Sequence, residues 1–430
     1  MNLLHPGQDG YAEEVAGFQT SVPTAPAAVV AAESAEDVVA AVRYAAEHRL
    51  PVAVQATGHG LTAGTDGVLI STRGMSGVEI DAEARTARVE AGARWEAVVE
   101  AAGKHGLAPL SGSSPDVGVV GYTLSGGFGL MGRRYGRAAD HVRALDVVTA
   151  DGELRHVEPG SDLFWALRGG RDGFGVVTAI EFALFPVGEL YGGSLTFDSA
   201  DVPAVLRAWR TWSAAAPDTL TTSVAMVRYP DLPMLPEPVR GRHIAQVRIA
   251  YLGEDGDDVV APLRAVAPAL LDTLRRMPFT ESGSIAAEPR QPHGYHGTNA
   301  TVSQLNDAML DAIVEHAGPG AAAPPVLIVD RLGGALARTP ETPGVGWDSS
   351  AEFVVRALSM VGDEGVAAVR RAHAKLFDAL APWTTGRLLP FVYGEHAPEE
   401  VAESVFSGAD LRRLRELKRR YDAGNVFRAG

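Results

Sequence analysis

Two glycine-rich segments constrain this chain more than any other feature. One is Gln55-Ala56-Thr57-Gly58-His59-Gly60, and the other runs from Gly112 to Asp140 as GSSPDVGVVGYTLSGGFGLMGRRYGRAAD. Glycines at Gly118, Gly121, Gly126, Gly127 and Gly129 free the backbone to adopt positive φ and to approach a ligand, so that consecutive N–H groups converge on a pyrophosphate. Val117, Val119, Val120, Leu124, Phe128, Leu130 and Met131 flank them and predict a packed loop, since flexible linkers are polar.

At 430 residues the chain is long enough for two domains with separate cores. No apolar run reaches bilayer length, and the opening MNLLHPGQDGYAEEV lacks both the basic start and the apolar stretch of a secretion signal. A cytoplasmic protein with no membrane partner is therefore expected. The formal charge of −15 speaks against nucleic acid as a partner, because neutralising phosphates takes clustered Lys and Arg. With no cysteine, disulfides, thiolate ligands and a cysteine nucleophile are excluded. His293 and His296, in QPHGYHG, have a spacing that suits a metal, but with no HExxH or carboxylate partner they read as a loop, and no metal is expected. Neither a Walker loop nor a GxSxG elbow is present.

From about residue 24 to 188, short β-branched strands alternate with amphipathic helices, an α/β or α+β pattern. AAVVAA, PVAVQ, GVLIST, ARTARVEAG, LDVVTADG and GVVTAIEFALFPV read as strands, and Ser34 opens a helix in a capping-box-like setting with Asp37 at its fourth position. From about 190 to 385 the period is two in TTSVAMVRYP, HIAQVRIAYLG, PPVLIVDRLGGALAR and SAEFVVRALSMVG, with amphipathic helices between them. This predicts an antiparallel sheet with helices on one face. A last segment from about 386 carries PFVYGE, a charged helix and the apolar pair Val426-Phe427.

Taken in order, QATGHG, the 112–140 run, DLFWALRGGRDGFGVVT at 162–178 and LKRRYDAGNVFR at 417–428 resemble the berberine bridge enzyme-like flavoproteins, a branch of the vanillyl-alcohol oxidase or p-cresol methylhydroxylase (PCMH) type. The resemblance covers nearly the whole chain. It implies an α+β, two-domain PCMH-type fold: an FAD-binding domain from 1–189 completed by 386–430, with a substrate domain inserted at 190–385. It further implies FAD as cofactor, hydride transfer from a small-molecule substrate to flavin N5, and reoxidation by dioxygen to give hydrogen peroxide. Secondary-metabolite intermediates and sugar-like hydroxyls are the implied substrates.

By the same resemblance His59 is the residue bonded to the flavin 8α-methyl carbon; from the loop alone, hydrogen bonding to phosphate is an equal reading. Ser114 stands where many relatives carry a second attaching cysteine, so one bond is expected, through His59 only. Gln55, Ala56, Thr57, Gly58, Gly60, Pro115, Ser125 and the loop glycines complete the implied flavin contacts, with Gly175, Val176 and Val177 at the adenine end and Asn425 bracing the C-terminal loop. Gln55 replaces the arginine usual in relatives. Val117 matches a position that gates oxygen, and it also serves loop packing. Tyr122 occupies the place of a histidine near the flavin in plant members. Tyr393 and Glu395 are the implied acid–base residues beside Tyr122, each with a structural role as the alternative. Asp330 and Arg331, charges on an apolar strand, read either as substrate contacts or as structural ion-pair members. A dehydrogenase with another electron acceptor and a flavoprotein using its pocket for non-redox cyclisation or binding are the competing functions.

Overall fold

The computed structural model describes residues 1–171, 173–346 and 348–428. Asp172, inside the 162–178 run, lies outside the described residues, as do Trp347, Ala429 and Gly430.

The expected α+β architecture is what the chain forms. Strands Ala28–Ala31, Val68–Ser71 and Val52–Gln55 run parallel in a four-stranded sheet, with Asn2–Leu4 antiparallel at its edge. Parallel strands need a crossover, and the helix Ala35–His48 supplies it. Ser34 caps that helix, its hydroxyl accepting from the Asp37 N–H at 3.3 Å, while Val38, Ala41, Val42 and Ala45 bury one face. A five-stranded antiparallel sheet follows, ordered Val78–Asp81, Thr86–Glu90, Val176–Ala183, Val142–Val148 and Leu154–Val157.

Residues 189–386 supply a nine-stranded antiparallel sheet, whose centre runs Glu189–Asp198, His243–Tyr251, Leu220–Arg228, Val326–Arg331, Phe353–Met360 and Tyr295–Val302. Helices Val202–Ala214, Gly256–Arg264, Asp307–Ala317 and Gly365–Leu380 bury one face of it around Trp209, Phe197, Val247, Val224, Val329 and Val355. Side chains alternate along a strand, so Arg248, Ser223, Asp330 and Arg356 fall on the opposite face, away from those helices.

Two expectations change. Part of the 112–140 run winds into the short helices Val119–Leu124 and Gly132–Tyr135, because its valines and Leu124 pack into the core of the five-stranded sheet. The stretch after His293 is not all loop: His296 is buried in the strand Tyr295–Val302, which pairs in register with Phe353–Met360.

The C-terminal helix Gly408–Tyr421 inserts Leu414 and Leu417 beside Phe164 and Leu167, and the Val52 N–H donates to the Val426 carbonyl at 2.7 Å. Among the described residues, no helix is long and apolar enough to cross a membrane.

Candidate functional site: one cavity between the glycine loops and the large sheet

A cavity of about 530 Å³ lies where the two glycine-rich loops, the strand start at Gly175–Val177 and the open face of the nine-stranded sheet meet. Its size is that of a site for a sizeable small molecule.

His59 reaches the cavity from the loop after strand Val52–Gln55. At Gly58, φ is 73° and a Cβ would sit 2.7 Å from the Gly17 Cα, so glycine is required there. The imidazole stacks on Phe18, centroids 3.8 Å apart and planes 13° from parallel. Its Nδ1 is 2.8 Å from the Thr57 hydroxyl, and its carbonyl accepts from the Tyr295 hydroxyl at 2.6 Å. Its Nε2 is buried without a partner. Burial, opposed by the charge of Asp116, lowers its pKa to about 4, so the ring is neutral at neutral pH.

The second loop leaves room where a ligand needs it. A Cβ at Gly121 would meet nothing within 4 Å, whereas at Gly127, φ 71°, it would sit 2.6 Å from the Tyr122 ring. One glycine keeps a cradle open and the other makes a turn. Gln55, Ala56, Thr57, Gly60, Ser114, Val117, Gly118, Tyr122, Ser125, Gly129, Gly175, Val176, Val177 and Tyr393 join His59 and Gly121 in the lining. Gln55 directs its amide N–H groups to the carbonyls of Val15, Ala16 and Glu14.

Pro115, Gly126, Gly127, Glu395 and Asn425 stand outside the lining. The Pro115 carbonyl accepts from Glu96, and those of Gly126 and Gly127 accept from Ala139 and Ala138, so these three residues shape the loop from behind. Asn425, with φ 50°, turns the chain that seats Phe427 on the four-stranded sheet. The Glu395 side chain is exposed and 4.0 Å from Arg370, turned from the cavity.

Tyr122 and Tyr393 contribute phenols of different kinds. The Tyr122 hydroxyl is buried without a partner, its ring edge-on to Trp95, and burial drives its pKa far up. Tyr393 pairs through its backbone with Gly297 and meets Tyr295 edge-on; burial pushes its phenol up to about 12.

Sequence reasoning missed much of the opposite wall, where Arg248, Glu288 and Arg356 line the cavity with Asp330 and Ser223. Asp330 and Arg356 form an ion pair at 2.9 Å, and the Arg356 guanidinium lies 4.1 Å over the Phe391 ring. Burial raises the Asp330 pKa against the opposing pull of Arg356 and Arg248. Arg331 instead pairs with Glu352 and is not in the lining. His296, His373 and His396 cluster behind the Tyr393 segment, with ring centroids 4.5 and 5.6 Å from His296, but among the described residues no group of His, Cys, Asp and Glu is arranged to hold a metal.

This cavity fits FAD in two respects. The glycine cradle is open where backbone must approach phosphate, and a neutral imidazole with one unpartnered nitrogen waits at its edge. Residues 26–158 match the family described as FAD binding domain. An FAD-linked oxidoreductase from Aspergillus fumigatus is 34% identical over 217 residues, 48% of this chain and 46% of that protein. The (R)-6-hydroxynicotine oxidase of Paenarthrobacter nicotinovorans is 35% identical over 165 residues, 37% of this chain and 36% of that one. These matches span less than half the length of either relative. The solved structure of the wild-type berberine bridge enzyme-like 1 protein of Physcomitrella patens superposes with a TM-score of 0.84 at 20% identity over 99% of this chain and 95% of that one. Residues 26–158 thus match an FAD-binding family in sequence, and the chain as a whole shares the fold of a berberine bridge enzyme-like flavoprotein.

Proposed function

We propose that the protein is an FAD-dependent oxidase in which residues 1–189 and 386–430 hold the flavin and residues 190–385 hold a small-molecule substrate. The observation that carries this reading is that a single cavity is walled on one side by the glycine cradle and His59 and on the other by ionisable side chains of the large sheet. The oxidase names of relatives support it as well. The glycine cradle and His59 would hold FAD there, and the flavin would supply an acceptor at N5 for hydride from a substrate C–H, with dioxygen as the final electron acceptor and hydrogen peroxide as the product.

In this reading His59 holds the flavin through a single bond to the 8α carbon, which would lose one hydrogen as a proton while the two electrons released pass through the flavin to dioxygen. With its proton on Nδ1, donated to the Thr57 oxygen, the lone pair of the unpartnered Nε2 is free to act as nucleophile. Ser114 offers only a hydroxyl, a poor nucleophile, so it adds no second bond. Val117 has a small side chain at the cavity edge, which suits access of oxygen.

On the substrate side, Tyr393 stays a protonated phenol at neutral pH and is suited to donate a hydrogen bond that orients a substrate hydroxyl. Asp330, a cavity carboxylate whose pKa burial raises, is the better acceptor for the proton that leaves that hydroxyl. The competing dehydrogenase reading differs only in the final electron acceptor.

The test is the visible spectrum of the purified protein before and after acid precipitation, with a peroxide assay over a substrate panel. Flavin should precipitate with the polypeptide, map by mass spectrometry to the His59 peptide alone, and be released from His59→Ala. Free flavin in the wild-type supernatant would overturn covalent attachment, and a modified Ser114 peptide would overturn the single bond.

A further inference from the structure

The open face of the nine-stranded sheet carries a cation that the oxidase reading leaves without a task. Arg248 lies on the central strand His243–Tyr251, directly opposite Ser223, which in turn lies opposite Asp330. Its Nε donates to the Gln246 side-chain oxygen at 2.9 Å, and the Gln246 amide donates to the Ser194 hydroxyl at 3.1 Å, which fixes the direction of the guanidinium. Among the described residues, no carboxylate lies within 4 Å of it and its two terminal nitrogens have no hydrogen-bond partner.

The surrounding charges make that lack of a partner informative. Asp330 is already committed to Arg356 at 2.9 Å. Glu288 is engaged by the Ser113 hydroxyl at 2.7 Å. Tyr229 also faces it, and Tyr393, whose phenol burial keeps protonated at neutral pH, lines the same cavity. A half-buried guanidinium that lines a cavity with no counter-ion of its own favours an anion that meets it there, and its planar end suits two parallel hydrogen bonds to a carboxylate. Burial duly pulls the Arg248 pKa below the ordinary arginine value.

We propose that Arg248 is a specificity-determining residue that binds a carboxylate of the substrate, so that the protein acts on carboxylate-bearing small molecules. The inference rests on the oxidase reading for what happens to the substrate, but not for the anion site itself. Two strand spacings separate Arg248 from Asp330, roughly 9.5 Å between their backbones. The oxidised carbon is therefore several bonds removed from the carboxylate, at the far side of a substrate lying across the strands.

The experiment is calorimetric titration of the full-length holoprotein with 4-(hydroxymethyl)benzoate and with its neutral amide, 4-(hydroxymethyl)benzamide. The carboxylate should bind about tenfold or more tightly than the amide. In Arg248→Gln the two should come within about twofold of each other, while Arg248→Lys should keep part of the preference. Thermal melting and flavin content check that each variant is folded and loaded. Equal affinities in the wild type, no carboxylate binding, or an undiminished preference in Arg248→Gln would overturn the proposal. Because calorimetry counts the ligand whatever becomes of the electrons, discrimination in a protein that forms no peroxide would sink the oxidase reading and keep the anion site.

Discussion

A histidine serves as a covalent anchor when its ring is neutral, held in one orientation and open at one nitrogen. His59 meets each condition through a neighbour: burial keeps it neutral, Phe18 holds the plane, and Thr57 occupies Nδ1. Two other residues make separable predictions. Val117→Leu adds one methylene at the cavity edge and should slow reoxidation of the reduced holoprotein in air by roughly tenfold, about 1.4 kcal/mol of activation free energy, with anaerobic reduction by substrate little changed. Stopped-flow traces of each half-reaction decide it, and equal slowing of both would mean that Val117 merely supports the loop. Asp330→Asn should do the reverse, lowering the rate of reduction by about 10² to 10⁴ while flavin content stays at the wild-type level. Reduction within a few-fold of wild type would remove Asp330 as the proton acceptor. The signal for Asp330 was legible in the sequence, as a charge in the apolar run VLIVDR. Arg248, in HIAQVRIAY, carries the same signal, and its role emerges only when the register sets it across Ser223 from Asp330. Phe18 and Tyr295 left no local trace, because each acts on His59 across a long stretch of chain.

At the scale of elements, strands and helices with clear periodicity were legible throughout, and the misreading at Tyr295–Val302 has a definite cause. The glycines and histidines of QPHGYHG resemble a turn, and only pairing with Phe353–Met360 and Thr384–Gly386 makes the segment from Tyr295 a strand. That pairing buries His296 against His373, on helix Gly365–Leu380, and against His396, beyond Tyr393. Burial and the neighbouring positive groups, including Arg370, lower the pKa of His296 to about 3; burial and His396 lower that of His373 to about 4. Folded, these rings are neutral, whereas unfolded they take up protons below about pH 6.5. Their contribution to stability is thus complete above pH 6.5 and declines as the pH falls toward the folded values, by up to about 1.4 kcal/mol per pH unit for each histidine. Urea denaturation from pH 7.5 to 5 should show this loss, and His373→Gln should make the slope shallower by about one proton. An unchanged slope would mean that His373 gains its proton in the folded protein. The Ser359 hydroxyl, 3.0 Å from the His373 Nε2, is able to hydrogen-bond a glutamine in its place.

For the whole molecule, the cavity is the meeting point of elements far apart in the chain, so whatever fills it ties those elements together. One wall comes from loops at 55–60 and 112–129, another from strands between 220 and 356, and a third from the segment around Tyr393. Arg290 adds a direct tie by pairing with Asp116 and Glu96 across the same boundary. A ligand that binds only the folded state stabilises it by RT ln(1 + [L]/Kd), about 4 kcal/mol when its free concentration is a thousand times Kd. A cofactor bonded to His59, as proposed, would instead always be present and could not be diluted away. The wild-type melting temperature should accordingly be indifferent to added FAD. In His59→Ala, freed of flavin by dialysis under mild chaotrope, melting should begin several degrees lower and rise steadily as FAD is added back, because the glycine cradle remains and the bond does not. Scanning calorimetry at a series of FAD concentrations separates the alternatives. A wild-type transition that climbs with FAD would show a cofactor in exchange with solvent, and a His59→Ala transition that ignores FAD would show that the cradle does not bind the cofactor without its histidine.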